Sequence, residues 1–209
     1  KIELKGAKSG WRYWPGNAAA DISVSGWFAM HLKSAAYSDL RAPYEAVEGA
    51  NAFLDTVDII ENPSDPFSGH RYGFAMNLKS LGGSRPADMP TAIGLTSRLL
   101  LGAPMNHLRG SVDHMLRFKE LPTWGDGGSA VDWQYWYFAT FLCYQLGGKY
   151  EKTWDDALFP TLRRHQVRSG SQYGSWNPTG RYASAGRAYS TSMAALCLST
   201  TRRYPPQFR

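Results

Sequence analysis

From Val131 to Leu146 the chain is apolar or aromatic on almost every face, with a single carboxylate, Asp132, near its start. A helix that is hydrophobic all round must sit in a protein interior. This one is too short to cross a bilayer, which takes about 20 apolar residues. The stretch therefore demands other helices around it, and an architecture of helices packed on helices is the expectation.

The chain has 209 residues, enough for one domain with a sizeable core, so 1–209 reads as a single domain. Eight Trp and twelve Tyr are many for this size. They serve either as large core fillers with a polar tip or as the lining of a ligand pocket. The formal charge is +6, but Arg71, Arg85, Arg98, Arg109, Arg163, Arg164, Arg202 and Arg203 are scattered. No basic stripe or recognisable module is present, which argues against nucleic acid as a partner. Cys143 and Cys197 match no zinc or redox spacing and read as buried thiols. They leave a cytoplasmic and an exported location equally open, and no signal peptide or membrane span is read in this segment. The first residue is Lys, so the expectation is a piece, the C-terminal part, of a longer chain.

Apolar periodicity and breakers predict about seven helices and no strands. They run from about Asp21 to Ser38, Pro43 to Val57, Asp88 to Leu101, Pro104 to Leu116, Val131 to Leu146, Trp154 to Gln166 and Arg187 to Arg203. In the second, Ala46, Val47, Ala50, Phe53, Leu54 and Val57 form one apolar stripe. Pro160 falls inside the sixth and is expected to kink it or to mark its true start. A long loop, 61–87, is rich in Pro, Gly and Ser and reads as a flap or an insertion.

Two kinds of helix alternate. Those starting near Asp21, Asp88, Val131 and Arg187 are small-residue-rich or broadly apolar, whereas those starting near Pro43, Pro104 and Trp154 are amphipathic. A glycine- and aromatic-rich loop precedes each member of the first kind. A loop, an inner helix and an outer helix then form an internal repeat, with inner helices packed around an axis and outer helices shielding them.

Several segments carry a family likeness. Gln166 followed by Gly174-Ser175-Trp176 resembles the QW motif, with Gln172 also close by. Gly10-Trp11 and Tyr13 lead to Asp21 and Gly26-Trp27, while Tyr135–Thr140 and Tyr189-Ser190-Thr191 open later inner helices in the same manner. On these residues the chain resembles the terpene cyclase and protein prenyltransferase superfamily, and more closely bacterial proteins with prenyltransferase/squalene oxidase repeats. The resemblance implies an all-α fold, an α/α toroid of helical hairpin repeats. A closed ring of this superfamily has more helices than the sequence supplies, which implies a half toroid. The remainder of the parent chain, or a second copy in a homodimer, would complete it.

The family's chemistry maps poorly onto the chain. Its prenyltransferases hold zinc with Asp-x-Cys and with a His after Tyr. Asp132 matches the Asp and Tyr189 the Tyr, but Gln134 stands in place of the Cys and Ser190 in place of the His. An amide and a hydroxyl are poor zinc donors, so no metal and no cofactor is expected. Its cyclases protonate an alkene with the middle acid of Asp-x-Asp-Asp, where this chain reads Ala18-Ala19-Ala20-Asp21. Asp155-Asp156 lies on an outer helix, and His31, His70, His107, His114 and His165 show no ligand spacing. Gly82-Gly83-Ser84-Arg85 reads as a turn.

The resemblance thus implies a ligand- or partner-binding domain more than an active enzyme. Its occupant would be a hydrophobic small molecule or a protein on an aromatic inner face. Trp14, Trp27, Trp133, Tyr135, Trp136 and Tyr189 would line that face, with Asp21 and Asp132 as polar markers. Together with Asp88, these acids also read simply as caps of helix N-termini. The alternatives are an active enzyme on an isoprenoid and a carbohydrate-active toroid. A glycosidase would need two opposed carboxyl groups roughly 5 to 10 Å apart.

Overall fold

The computed structural model describes residues 10–14, 20–60, 69–74, 88–117 and 121–206. Seven helices lie among them: α1 (Ile22–Tyr37), α2 (Tyr44–Val57), α3 (Asp88–Leu100), α4 (Met105–Arg117), α5 (Trp133–Leu146), α6 (Gly148–His165) and α7 (Gly186–Arg203). The fold is predominantly helical, as expected. The expectation of no strands is corrected by a two-stranded antiparallel ladder, β1 (Asp58–Ile60) with β2 (His70–Tyr72), in which Asp58 faces Tyr72. These strands are too short to show a period, so sequence pattern could not reveal them. β2 also falls inside the expected loop 61–87; residues 61–68 and 75–87 of that loop lie outside the described residues.

The chain divides into two compact units, Lys1–His114 and Met115–Arg209, with the division falling inside α4. In the first unit α1 begins at Asp21, whose carboxylate accepts the Ser23 amide at 2.7 Å. That satisfies one of the amides a helix start leaves without an intrahelical partner. The helix ends where Leu40 N–H returns to the Ala35 carbonyl across Asp39, which takes a left-handed φ of 55°. α1 packs on α3, which is buried on all sides apart from Asp88 and Arg98. α2 buries the one face formed by Gly49, Ala50, Phe53, Leu54 and Val57. Ala46 and Val47 of the expected stripe are only half-buried.

In the second unit every residue of α5 except Gln134 is buried. Asp132 caps its start, accepting the Tyr135 amide at 3.0 Å, and Gly147, with φ 65°, ends it. α6 lays Tyr150, Trp154, Leu158 and Leu162 along one side, a spacing of four that keeps them on one stripe. The Trp154 indole N–H donates to Thr140 Oγ1 at 2.8 Å, and that hydroxyl donates to the Trp136 carbonyl at 2.5 Å. α6 starts six residues before the expected Trp154, and Pro160 lies inside it. Pro160 therefore does not mark the start of α6. The proline is exposed, and the buried stripe on the other side of the helix carries the segment through.

α7 packs along α5 in the same direction. Near both C-termini the Tyr144 hydroxyl donates to the Thr201 carbonyl at 3.4 Å and Gln145 Nε2 donates to the Pro205 carbonyl at 3.1 Å, while Tyr137, in the second turn of α5, pairs its hydroxyl with that of Tyr204 at 3.1 Å. Cys143 and Cys197 are buried free thiols, as expected, and burial pushes Cys197 up to about 12, so it stays protonated. Gln166 donates to the Gly174 carbonyl at 2.8 Å, and the Trp176 indole donates to the Leu162 carbonyl at 2.9 Å. The loop between α6 and Trp176 is thereby pinned to the end of α6.

At the other end of the pair the loop before α7 closes on the residue before Asp132. The Arg181 amide donates to the Val131 carbonyl, and Gly180 (φ 75°) packs against that same carbonyl so tightly that a Cβ would collide with it. Gly180→Ala is expected to cost at least about 2 kcal/mol, from the left-handed φ and the clash together. Urea unfolding of the variant measures this; a loss below about 0.5 kcal/mol would contradict the packing.

Candidate functional site

Because α5 and α7 run in the same direction, their N-terminal turns lie at one end of the pair, beside the Val131–Arg181 contact. Asp132 stands there as the cap of α5. Tyr189, in the first turn of α7, has its phenol pKa raised, first by burial and then by the negative charge of Asp132 and by Tyr182. The Tyr182 ring meets the Tyr189 ring edge-on at 6.0 Å.

Three buried polar atoms at this end make no hydrogen bond to any of the described residues. They are Trp133 Nε1, Gln134 Oε1 and the Tyr189 hydroxyl. Buried polar atoms nearly always find partners, because leaving one unpaired costs about 1–3 kcal/mol. Elsewhere in the same unit the rule is obeyed, as the Trp154, Trp176 and Gln145 bonds show. Unsatisfied groups concentrated on the first turns of α5 and α7 single out this end as the candidate binding site. The set comprises a donor on Trp133, an acceptor on Gln134 and a hydroxyl on Tyr189 that can do both.

The wall beside Trp133 is aromatic. Trp133 meets Trp136 edge-on at 5.3 Å and Trp124 at 6.0 Å. Trp124 stacks flat on His165 at 4.1 Å. Burial and the neighbouring Arg164 lower the pKa of His165, favouring its neutral form.

Of the residues expected to form the site, the structure brings Asp132, Trp133 and Tyr189 to one end of one helix pair. Trp136 is only 1% exposed and lies behind Trp133, and Tyr135 packs edge-on against Trp154 at 5.5 Å, so both fill the core of the unit. Asp21, Trp14 and Trp27 belong to the first unit. There Asp21 caps α1, Trp14 is 76% exposed and Trp27 is half-buried.

Gln134, read at first only as a failed zinc ligand, becomes a member of the site through its unsatisfied oxygen. The donor set around it does not fit zinc: Asp132 is engaged by the Tyr135 amide, and the Ser190 hydroxyl points to the Gly186 carbonyl at 3.5 Å. Sequence reasoning missed a second polar cluster altogether, formed by Asp58, His70, Tyr72 and Arg98 in the first unit. Asp58 and Arg98 lie 12 and 28 residues from His70 in sequence, and only the β1–β2 pairing and the packing of α3 assemble the cluster. No spacing rule could have signalled it.

Compared with protein families, with curated proteins and with solved structures, the chain matches none.

Tyr189→Phe removes a buried hydroxyl that has no partner among the described residues. It is therefore expected to leave the free protein unchanged or to stabilise it by up to about 1 kcal/mol in urea unfolding. A loss of more than about 1 kcal/mol would mean that the hydroxyl is bonded within the fold.

Proposed function

We propose that the chain is a helical-hairpin repeat domain of the α/α-toroid kind, similar to prenyltransferase and squalene-cyclase repeats, that binds a ligand without the family's zinc or alkene-protonating chemistry. The site is the shared N-terminal end of α5 and α7. The observation that carries this reading is the group of three polar atoms with no partner among the described residues, beside an aromatic wall of Trp124 and Trp133.

The ligand's chemistry follows from that complement. An aromatic wall suits an apolar body, and the polar set suits a head group that both donates and accepts hydrogen bonds. The head is uncharged. Asp132 would repel an anion, and its carboxylate is already engaged as a cap. Burial holds the Tyr189 phenol in its neutral form. A largely apolar alcohol, such as an isoprenoid alcohol, meets all three conditions. Gln134 and Tyr189 are each half-buried, which leaves a route for such a head group from the surface.

Support for the repeat architecture comes from within each unit: α1 pairs with α3, α5 pairs with α7, and α2 and α6 cover them with amphipathic faces. These are the pairings the alternation of helix types implies.

Tryptophan fluorescence titration tests the proposal with farnesol, farnesyl diphosphate and a neutral disaccharide. Farnesol is expected to quench saturably, and the diphosphate and the disaccharide to bind more weakly. Tyr189→Phe is expected to weaken farnesol binding about tenfold, the loss of one hydrogen bond of about 1.4 kcal/mol. No saturable quenching by farnesol, or undiminished affinity in Tyr189→Phe, would refute it.

A further inference from the structure

The first unit holds a cleft of about 260 Å³ that owes nothing to the α5–α7 site. Its titratable walls are Asp55 from α2, Asp58 from β1, His70 and Tyr72 from β2, Arg98 from α3 and His107 from α4; Leu95 and Leu108 supply apolar surface. The charged groups are ordered. Arg98 donates through Nη1 to Asn51 Oδ1 at 3.1 Å, through Nε to the Tyr72 hydroxyl at 3.4 Å, and through Nη2 to Asp55. Gly94 lets the Tyr72 ring lie directly on α3, where any Cβ would strike it. Burial, then the charge of Asp58, raises the Tyr72 pKa, so its phenol keeps its proton and can donate to Asp58 at 3.4 Å.

His70 is the most exposed member of the Asp58–His70–Tyr72–Arg98 cluster. Its Nδ1 lies 2.9 and 2.8 Å from the two oxygens of Asp58, and its backbone amide is held by Ser111 Oγ at 2.8 Å. Nδ1 therefore carries the proton, and Nε2, which has no partner among the described residues, presents a lone pair. The His70 side chain is 47% exposed, whereas Asp58 is 16% exposed. A half-buried carboxylate thus orients an accessible imidazole and would stabilise the imidazolium once it forms.

We propose that this cleft is a general-base site at which His70 draws a proton from water for addition to a small uncharged carboxylic ester. The water proton moves to Nε2 while its oxygen, keeping the bonding pair, adds to the acyl carbon. The alkoxide then leaves with its electron pair and takes up the proton from the imidazolium or from solvent. Arg98 already pairs with Asp55 and lies 3.9 Å from Asp58, and the two carboxylates outnumber it, so an anionic substrate is disfavoured; the volume admits only a small one. Asp58 is a positioning residue, since it acts through His70.

Two measurements on the whole chain test this. Long-range nitrogen–proton NMR correlation is expected to show His70 with its proton on Nδ1, and in Asp58→Asn with a large share moved to Nε2. A merely structural ion pair would still allow the first result, so turnover is also read. p-Nitrophenyl acetate hydrolysis at pH 8 is expected to fall at least about a hundredfold in His70→Gln, the low end of general-base contributions. It should be unchanged in His31→Gln, which removes an exposed imidazole on α1. Because His70 is half exposed, the glutamine is tolerated, and a coincident thermal melt confirms it. Hydrolysis by His70→Gln within twofold of wild type, an equal loss in His31→Gln, or a wild-type proton on Nε2 would overturn the proposal.

Discussion

The enclosure of α5 is the constraint on which the second unit depends. Burying one large apolar side chain is worth roughly 1.5–3 kcal/mol, and α5 buries aromatic or aliphatic side chains over almost its whole surface. Such a helix has no stable exposed face, so α6 and α7 must cover it on different sides. That requirement explains why α6 carries a strict stripe of Tyr150, Trp154, Leu158 and Leu162, and why Gly180 is needed where the loop before α7 closes on Val131. α3 plays the corresponding part in the first unit, enclosed by α1, α2 and β2.

An interior this aromatic brings polar tips with it, and their treatment separates scaffold from site. Trp154, Trp176, Gln145 and Tyr137 each find a partner and tie α5 and α6 to their neighbours. Trp133, Gln134 and Tyr189 do not, and all three lie on the first turns of α5 and α7. Among the described residues of this unit, the buried unsatisfied side-chain groups all lie at this one end. That placement fits the general trade in which a binding site is less stable than its surroundings.

Much of the helical framework was legible because amphipathic and all-round apolar patterns have different periods and composition. α2, α3 and α5 fall within a residue or two of their expected spans. The start of α6 was not legible, since Gly148-Lys149-Tyr150 carries breaker and charged residues whose only apolar member packs inward. Nor was the β1–β2 ladder, whose short strands are held by α3 and by Ser111 of α4 rather than by their own pattern. The gathering of Asp132, Trp133 and Tyr189 at one end of a helix pair was legible from their places at helix starts. Gln134 was visible only as a mismatch, because unsatisfied hydrogen bonding is a property of packing. The Asp58–His70 pair depends wholly on long-range contact, which no local signal encodes.

Native-state hydrogen exchange of the α5 backbone tests the central claim most directly. If α5 is the enclosed element of its unit, the amides from Phe138 to Tyr144 open only with global unfolding and exchange more slowly than any in α6 or α7. Exchange of those amides at rates matching the exposed face of α6 would show that α5 is not enclosed, and the packing scheme and both sides of its binding end would fall with it.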